Sequence, residues 1–156
     1  MDTVIHDHAY SLTLPGTWRR EATKPGGPVV YRTPAGTEQV TISLLWSSAE
    51  EDSAAQLETL RAVVEKHRQS VLRAYEPEPV TLSDANIVER PSGPWASYFV
   101  FEGSTSPTAY VRINASAWTV GTLLYEQKGL TPELAKSRGL KILGSFALTG
   151  APPAKP

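Results

Sequence analysis

The sequence predicts an α+β fold, in which a long central helix and a C-terminal helix pack on an antiparallel β-sheet. Residues 95–127 alternate apolar side chains with small or polar ones, which is typical of consecutive antiparallel strands. Residues 48–74 place apolar side chains three and four positions apart, which is the period of a helix. A second helical segment follows residue 131. This order of strands, helix, strands and helix favours helices packed on an antiparallel sheet.

The first predicted strand contains Tyr10, Leu12 and Leu14, which alternate with polar residues. Pro15 ends this strand, since proline has no backbone N–H for the ladder. A further short strand over residues 29–32 lies between two Gly/Pro turns. The next strand is longer, and its core-facing side chains are predicted to be Val40, Ile42, Leu44 and Trp46.

The long helix is predicted to begin where the apolar period changes. Ser48 and Glu51 have the spacing of a capping box, and Asp52 adds negative charge near the positive end of the helix. The helix runs to about Ala74, because the Glu-Pro-Glu-Pro segment that follows cannot continue it. The stripe that packs on the sheet is predicted to comprise Leu57, Leu60, Val64, His67 and Val71.

The second half of the chain is predicted to hold three successive strands over residues 95–127 and then a helix. Thr131 has the chemistry of a helix N-cap, and Pro132 suits the first helical position. Gly139 and Gly144 weaken this second helix, so we expect a break near its middle.

Length and composition favour a single domain with a net charge close to zero. The chain has 156 residues, which suits a single domain over residues 1–148, followed by a predicted disordered tail over residues 149–156. Lys and Arg number 15 against 16 acidic residues, giving a formal charge of −1. A charge so close to zero argues against nucleic acid as a partner. The absence of cysteine excludes disulfides, thiolate metal sites and cysteine nucleophiles.

The compartment is predicted from the apolar runs of the chain. No basic segment followed by a long apolar core is seen at the start, as a secretory signal would require. No apolar run approaches the ~20 residues needed to span a bilayer. We therefore expect a cytoplasmic protein that is not membrane-spanning.

Two segments of the chain resemble the PsbP/Mog-type fold. The first is YSLTLPGTW, residues 10–18, where a short strand is followed by proline and then tryptophan. The second is LKILGSFAL, residues 140–148, which is similar to the final helix of that fold. The order of elements between the two segments agrees as well, so the resemblance spans about residues 5–148.

This resemblance implies a binding protein without catalysis. Proteins of this architecture include photosystem accessory subunits, a Ran-binding protein, bacterial DcrB-like lipoproteins and Eag-type chaperones, which hold apolar segments of type VI secretion effectors. The chain departs from the lipoprotein members because it has no lipidation cysteine. It also has no targeting segment of the chlorophyll system.

The candidates for chemistry each have an ordinary structural explanation. His6 and His8 can share one face of an extended strand, but two ligands are too few for a metal site, and a solvated N-terminal segment is favoured. His67 can act as a general base in principle, yet its place in the helix stripe favours a core or boundary histidine. The acidic residues 50–52 suit a helix start. Because no nucleophile elbow, phosphate-binding loop or His-Glu-x-x-His motif occurs, we expect no catalytic residue, metal or cofactor.

The predicted binding site lies on the three central strands, because both of their faces are apolar. We expect the helices to cover the side of Phe99, Phe101, Val111, Ile113 and Val120. The opposite side then forms an aromatic platform, where tyrosine rings and an arginine suit protein recognition. Helices or sheet segments on both faces would instead make these residues ordinary core, and the sequence leaves this alternative open. The predicted partner-binding residues are Tyr98, Val100, Tyr110, Arg112, Leu123 and Tyr125.

These features predict a non-catalytic protein-binding module, whose partner is a protein or an apolar peptide. A secretion-system chaperone or adaptor is the particular role that the resemblance favours. The alternatives are a small-molecule or lipid carrier and a toxin-neutralising immunity protein. A closed apolar cavity would favour the carrier, whereas an open groove would favour a protein partner. The pattern is also compatible with a homodimer formed through a sheet edge or the aromatic side.

Overall fold

A computed structural model describes residues 1–22, 24–103 and 106–154 of the chain. It has the predicted α+β architecture, with antiparallel sheets and two helices, α1 (Ser53–Ala74) and α2 (Pro132–Ser145). Neither helix in the described part of the chain is long and apolar enough to cross a lipid bilayer. The strands are β1 (Thr3–His6), β2 (Tyr10–Leu14), β3 (Arg19–Arg20), β4 (Val29–Arg32), β5 (Glu38–Trp46), β6 (Thr81–Leu82), β7 (Asn86–Val88), β8 (Trp95–Phe101), β9 (Ala109–Ala115), β10 (Thr119–Gln127) and β11 (Ala147–Leu148).

The larger of two sheets has the order β3-β4-β5-β10-β9-β8-β6, and β7 also pairs with β8. Its pairings are antiparallel, and the long strands β5, β10, β9 and β8 form its centre. Tyr125 of β10 lies opposite Tyr110 of β9 on one side and Val40 of β5 on the other. The smaller sheet has the order β1-β2-β11. The predicted succession of three strands over residues 95–127 is therefore confirmed.

The centre of the larger sheet is covered on both faces, which gives the protein two apolar cores. Helix α1 packs over β8, β9 and β10 on one face. Helix α2 contacts β9 and β10 on the other face, and the smaller sheet packs beside it through β2. The α1 core includes Leu60, Val64, Tyr98, Val111 and Ile113, and the α2 core includes Leu12, Tyr110, Leu123, Tyr125 and Ile142.

Helix α1 begins later than predicted, because Asp52 and not Ser48 is its N-cap. The Asp52 Oδ1 atom accepts a hydrogen bond at 2.8 Å from the backbone N–H three residues further on. Glu51 accepts hydrogen bonds from the hydroxyls of Ser47 at 3.0 Å and Thr59 at 2.9 Å. Its carboxylate thus joins the loop before the helix to the helix itself, and no capping box forms.

Helix α2 begins as predicted but continues through both of its glycines. The Thr131 hydroxyl oxygen accepts a hydrogen bond from the backbone N–H of Leu134 at 3.3 Å, as expected of an N-cap. Gly139 is buried, and a Cβ atom at this position would lie 2.9 Å from ring carbons of Tyr110. At Gly144 a Cβ atom would meet nothing within 4 Å among the described residues. Gly139 therefore serves close packing of the helix on the sheet, and the predicted break is wrong.

Both ends of the described chain lie against the smaller sheet. Strand β1 pairs with β2, although the sequence predicted a loosely ordered N-terminal segment. The backbone N–H of Thr149 donates to the Ala9 carbonyl at 2.9 Å, and its hydroxyl donates to the His8 carbonyl at 2.6 Å. The Nε2 atom of His8 lies 2.7 Å from the carbonyl oxygen of Pro152. The predicted tail thus contacts the domain through residue 152, whereas residues 155 and 156 lie outside the described residues.

Candidate binding site

The six predicted binding residues do not form an open face. Arg112 is partly buried, and the other five are at most 1% exposed, namely Tyr98, Val100, Tyr110, Leu123 and Tyr125. The prediction of an exposed aromatic platform on the central strands is therefore wrong. The alternative of an ordinary core, covered on both faces, describes this part of the molecule.

Strand register divides the six residues between two faces. Residues directly opposite one another in an antiparallel pair point to the same face. Tyr98 lies opposite Val111, and Phe99 lies opposite Tyr110. Tyr98 and Val100 consequently face α1, whereas Tyr110, Arg112, Leu123 and Tyr125 face α2. The alternation within each strand was predicted, but the offset between neighbouring strands was not.

Arg112, the one predicted residue that reaches solvent, is engaged within the protein. Its guanidinium carbon lies 3.8 Å from the centroid of the Trp95 ring. Its Nε donates to the Asn114 side chain at 2.9 Å, and its Nη1 donates to the Leu143 carbonyl at 3.4 Å. Burial lowers the pKa of this guanidinium. These contacts join β8, β9 and α2, so Arg112 has a structural role here.

His67 is a boundary residue, as its position in the helix stripe predicted. Its Nδ1 atom lies 2.5 Å from the hydroxyl oxygen of Tyr98, and the two rings meet edge to face. Arg68 lies over the same tyrosine ring, 5.0 Å from its centroid. Burial lowers the pKa of His67 to about 4, so the imidazole is neutral at physiological pH. The pair connects α1 to the sheet.

A buried network of charged side chains connects α2 to the first residue of β5. Glu38 is 6% exposed and accepts a hydrogen bond from the Tyr125 hydroxyl at 2.6 Å. Arg138 of α2 binds both carboxylate oxygens of Glu38, at 2.5 and 2.9 Å, and also donates to the Pro15 carbonyl at 3.0 Å. The indole N–H of Trp18 donates to that carbonyl at 2.8 Å. This arrangement satisfies a buried carboxylate, as a structural ion pair requires.

Two of the remaining candidates for chemistry have structural contacts. His8 contacts the chain end and Asp52 caps a helix. Across residues 1–22, 24–103 and 106–154, no group of three His, Asp or Glu side chains is arranged to hold a metal ion.

A depression beside Trp46, which we call the Trp46 crevice, is a candidate binding surface. It encloses about 440 Å³ and is open to solvent. Its floor, which is its apolar lining on the sheet, consists of the partly buried Val29, Leu44 and Trp46 and the buried Ile42, which lies opposite Val29 in the neighbouring strand. Residues 25–28 form one wall, in a turn of proline and glycine. A depression of this volume lies within the range of ligand sites, roughly 300–1,000 Å³.

Two cationic side chains line the Trp46 crevice. Arg20 and Lys24 contribute to its lining, and both are exposed. Neither side chain has a hydrogen bond or ion pair with the part of the chain that the structure describes. The neighbouring Glu21 is paired with Arg32 at 2.6 Å, so its charge is already matched. The crevice thus combines an apolar floor with two available positive charges.

Two other depressions differ in character. A shallow groove of about 460 Å³ follows α1, lined by Leu45, Ala62 and Val63 among other residues. A cleft of about 540 Å³ at the opposite end of β5 contains Glu126 and Glu102. The hydroxyl of Tyr75 donates to Glu126 at 3.0 Å there, and burial together with the two carboxylates raises its pKa. The Trp46 crevice differs from both because it combines a tryptophan and aliphatic residues with two cations that have no partner among the described residues.

Sequence reasoning placed Trp46 in the core and therefore missed the crevice. The alternation of β5 assigns its face correctly, because Val40 and Ile42 are buried on the same side. Trp46 is the last residue of the strand, and it packs against the α2 core while remaining partly exposed. The signal available in the sequence was the Gly/Pro turn between Arg20 and Val29, which brings basic residues to that end of the strand.

Comparison with solved structures identifies the fold. The solution structure of cyanobacterial PsbP from Synechocystis superimposes with a TM-score of 0.71 and 16% sequence identity, covering 94% of this chain and 92% of that chain. A crystal structure of a Bacteroides thetaiotaomicron protein gives a TM-score of 0.45 and 11% identity, covering 89% of this chain and 44% of that one. No protein-family model matches the sequence, and no curated protein does.

The chain therefore has a PsbP-like fold, and the resemblance seen in its two end segments is confirmed at that level. A sequence identity of 16% supports an inference about the fold and not about function. The narrower resemblance to DcrB-like proteins and Eag-type chaperones stays a prediction.

Proposed function

We propose that the protein is a non-catalytic binding module that holds an apolar segment of a partner protein in the Trp46 crevice. The observation that carries this proposal is the solvent-open apolar floor of Leu44 and Trp46 beside two unpartnered cations. Tryptophan and arginine are enriched among the residues that dominate protein interfaces. The proposed site replaces the sealed central strands as the place of recognition.

An open crevice supports a protein partner over a carried small molecule. A carrier encloses most of its ligand, whereas the Trp46 crevice is partly open to solvent. The floor accommodates a few apolar side chains, while the remainder of a partner extends over the neighbouring surface. Partner segments that present an aliphatic or aromatic residue fit this geometry.

A chaperone or adaptor of a secretion system is the particular role that we propose for this activity. Its support is the sequence resemblance to Eag-type chaperones, which bind apolar segments of effectors. In that role the crevice would shield an apolar segment until the partner reaches its destination, and a cytoplasmic location would suit it.

Peptide display tests the proposed site directly. A random peptide library is selected on the immobilised protein and, in parallel, on a Trp46→Ala variant whose fold is verified by circular dichroism. We expect peptides with aromatic or aliphatic residues to be enriched on the wild-type protein and lost on the variant. Equal enrichment on both proteins would assign binding to another surface, and enrichment on neither would contradict the binding function at this site.

A further inference from the structure

The charges of the Trp46 crevice indicate what kind of partner segment it accepts. Resting on the proposed function, we infer that the crevice selects an acidic apolar peptide segment, with an apolar side chain on the floor and a carboxylate between Arg20 and Lys24. Two cations without a partner among the described residues line this apolar site, in a protein whose formal charge is −1.

Strand pairing fixes the side on which Arg20 lies. Arg20 pairs with Tyr31, so both side chains point to the α2 face, as Ile42 does. Tyr10 and Tyr31 meet through their hydroxyls at 3.0 Å on that face. Burial and the Tyr31 contacts raise the pKa of Tyr10, while the charge of Arg20 acts in the opposite direction. Arg20 therefore stands near the crevice floor, whereas Arg19 on the other face is directed away.

The carboxylate that follows Arg20 in the sequence is already paired with another cation. Glu21 is engaged by Arg32, a residue that shares its face with Arg19 and not with Arg20. An incoming carboxylate would therefore find two cations without internal competition. Arginine offers it a planar pair of donors and lysine offers a compact charge. A neutral or basic peptide gains neither contact, so charge distinguishes partners that share the same apolar residue.

Three blocked peptides measure this selectivity. The probes are Gly-Glu-Leu-Phe-Glu-Gly and its analogues with glutamine or lysine in place of both glutamates. Binding is followed by NMR through the indole N–H of Trp46, assigned with a Trp46→Phe variant. We expect the glutamate peptide to bind about three- to tenfold more tightly than the glutamine peptide at low salt, with the lysine peptide weaker still. Added salt should reduce the difference.

Matched charge variants locate the effect. The Arg20→Gln, Lys24→Gln double variant should bind the glutamate and glutamine peptides equally. An Arg61→Gln, Arg73→Gln variant changes the net charge by the same amount on α1, which covers the opposite face, and should retain the preference. Together these two results would establish that the crevice cations, and not the overall charge, select the carboxylate.

Other results would overturn the inference in distinguishable ways. Equal binding of all three peptides with a shift at Trp46 would leave the proposed function intact and remove the selectivity. A preference that survives in the Arg20→Gln, Lys24→Gln variant would likewise contradict the role of these cations. If decanoate shifts the Trp46 resonance and none of the peptides does, the ligand is an anionic amphiphile, and the protein-partner assignment is wrong.

Discussion

Two aromatic regions of the same sheet differ in solvent exposure. Tyr98, Tyr110 and Tyr125 lie on the central strands, where α1 covers one face and α2 covers the other, and each is at most 1% exposed. Trp46 lies at the end of β5, where it is partly exposed and lines an open crevice. Both regions show the same alternation of apolar residues in the sequence.

The difference teaches that alternation predicts a buried face without saying what buries it. A strand with two apolar faces is typical of a sheet covered on both sides, and the central strands follow this rule. The proposed recognition surface instead lies at the end of β5, where apolar residues are only partly buried. At the Trp46 crevice, partly buried apolar residues that pack against the core meet two exposed cations, so the site lies at the border of the core.

Truncation of one aromatic residue in each region should give the largest difference in stability between the two regions. Tyr98→Ala removes a fully buried ring and its contact with His67, and we expect a loss of about 3–5 kcal/mol in the free energy of unfolding. Trp46→Ala removes a partly exposed ring and should cost roughly 1–2 kcal/mol, because less area leaves water on folding. Urea denaturation measures both values. Similar losses for the two variants would contradict the division into sealed and open regions.

The two glycines of α2 sharpen the same comparison at a finer scale. Gly139→Ala places a methyl group 2.9 Å from the Tyr110 ring, and we expect it to destabilise the protein by about 1–3 kcal/mol. Gly144→Ala is the matched control in the same helix, where open surroundings and better helix propensity should stabilise by roughly 0.5–1 kcal/mol. Thermal unfolding of the pair should therefore show melting temperatures that move in opposite directions. A stabilising alanine at position 139 would show that the helix is not closely packed on the sheet.

Much of the fold could be predicted because it depends on local signals. The alternating residues of β8, β9 and β10, the stripe of α1 and the N-cap of α2 each act over a few positions. The N-cap of α1 could not be placed, since Ser48 and Asp52 are both suitable and tertiary contacts of Glu51 decide between them. The supposed break at Gly139 failed for a similar reason, because only the approach of Tyr110 explains that glycine.

The candidate site was harder to predict because it depends on relationships between distant segments. The pairing register between β8 and β9 places Tyr98 and Tyr110 on opposite faces of the sheet. This register cannot be read from the sequence of either strand alone. The Trp46 crevice brings a turn near residue 25 over the end of a strand about twenty residues later in the chain. The periodicity of apolar residues along the chain predicts neither the strand register nor the approach of this turn to the end of β5.

The α1 side of the sealed region should respond to acid through His67. Its pKa is about 4 in the folded protein, whereas the ordinary pKa of an exposed histidine is 6.5. Because the unfolded chain binds the proton more readily, stability is fully present above pH 6.5 and is lost as the pH falls toward 4. We expect this group to cost roughly 1–2 kcal/mol between pH 7 and pH 5, and a His67→Gln variant to lack that part of the slope. Urea denaturation across this range with equal slopes for both proteins would exclude His67 as the cause.

The α2 side of the sealed region allows the smallest and most specific test, between two neighbouring tyrosines. The rings of Tyr110 and Tyr125 lie 5.9 Å apart, yet their hydroxyls differ. Tyr125 donates to the buried Glu38, whereas the buried Tyr110 hydroxyl has no hydrogen-bond partner among the described residues. Tyr125→Phe should therefore destabilise the protein by about 1–2 kcal/mol, because an ionised acceptor loses a donor.

Tyr110→Phe should be neutral or stabilising by up to about 1 kcal/mol, because it removes a buried polar group that has no partner among the described residues. The two substitutions delete the same atom from the same core, so denaturant unfolding of the pair isolates the value of a hydrogen bond from that of the ring. A loss at Tyr110 as large as that at Tyr125 would show that its hydroxyl is satisfied in solution. The Tyr110 hydroxyl would then have a hydrogen-bond partner, whereas we infer that only apolar groups surround it.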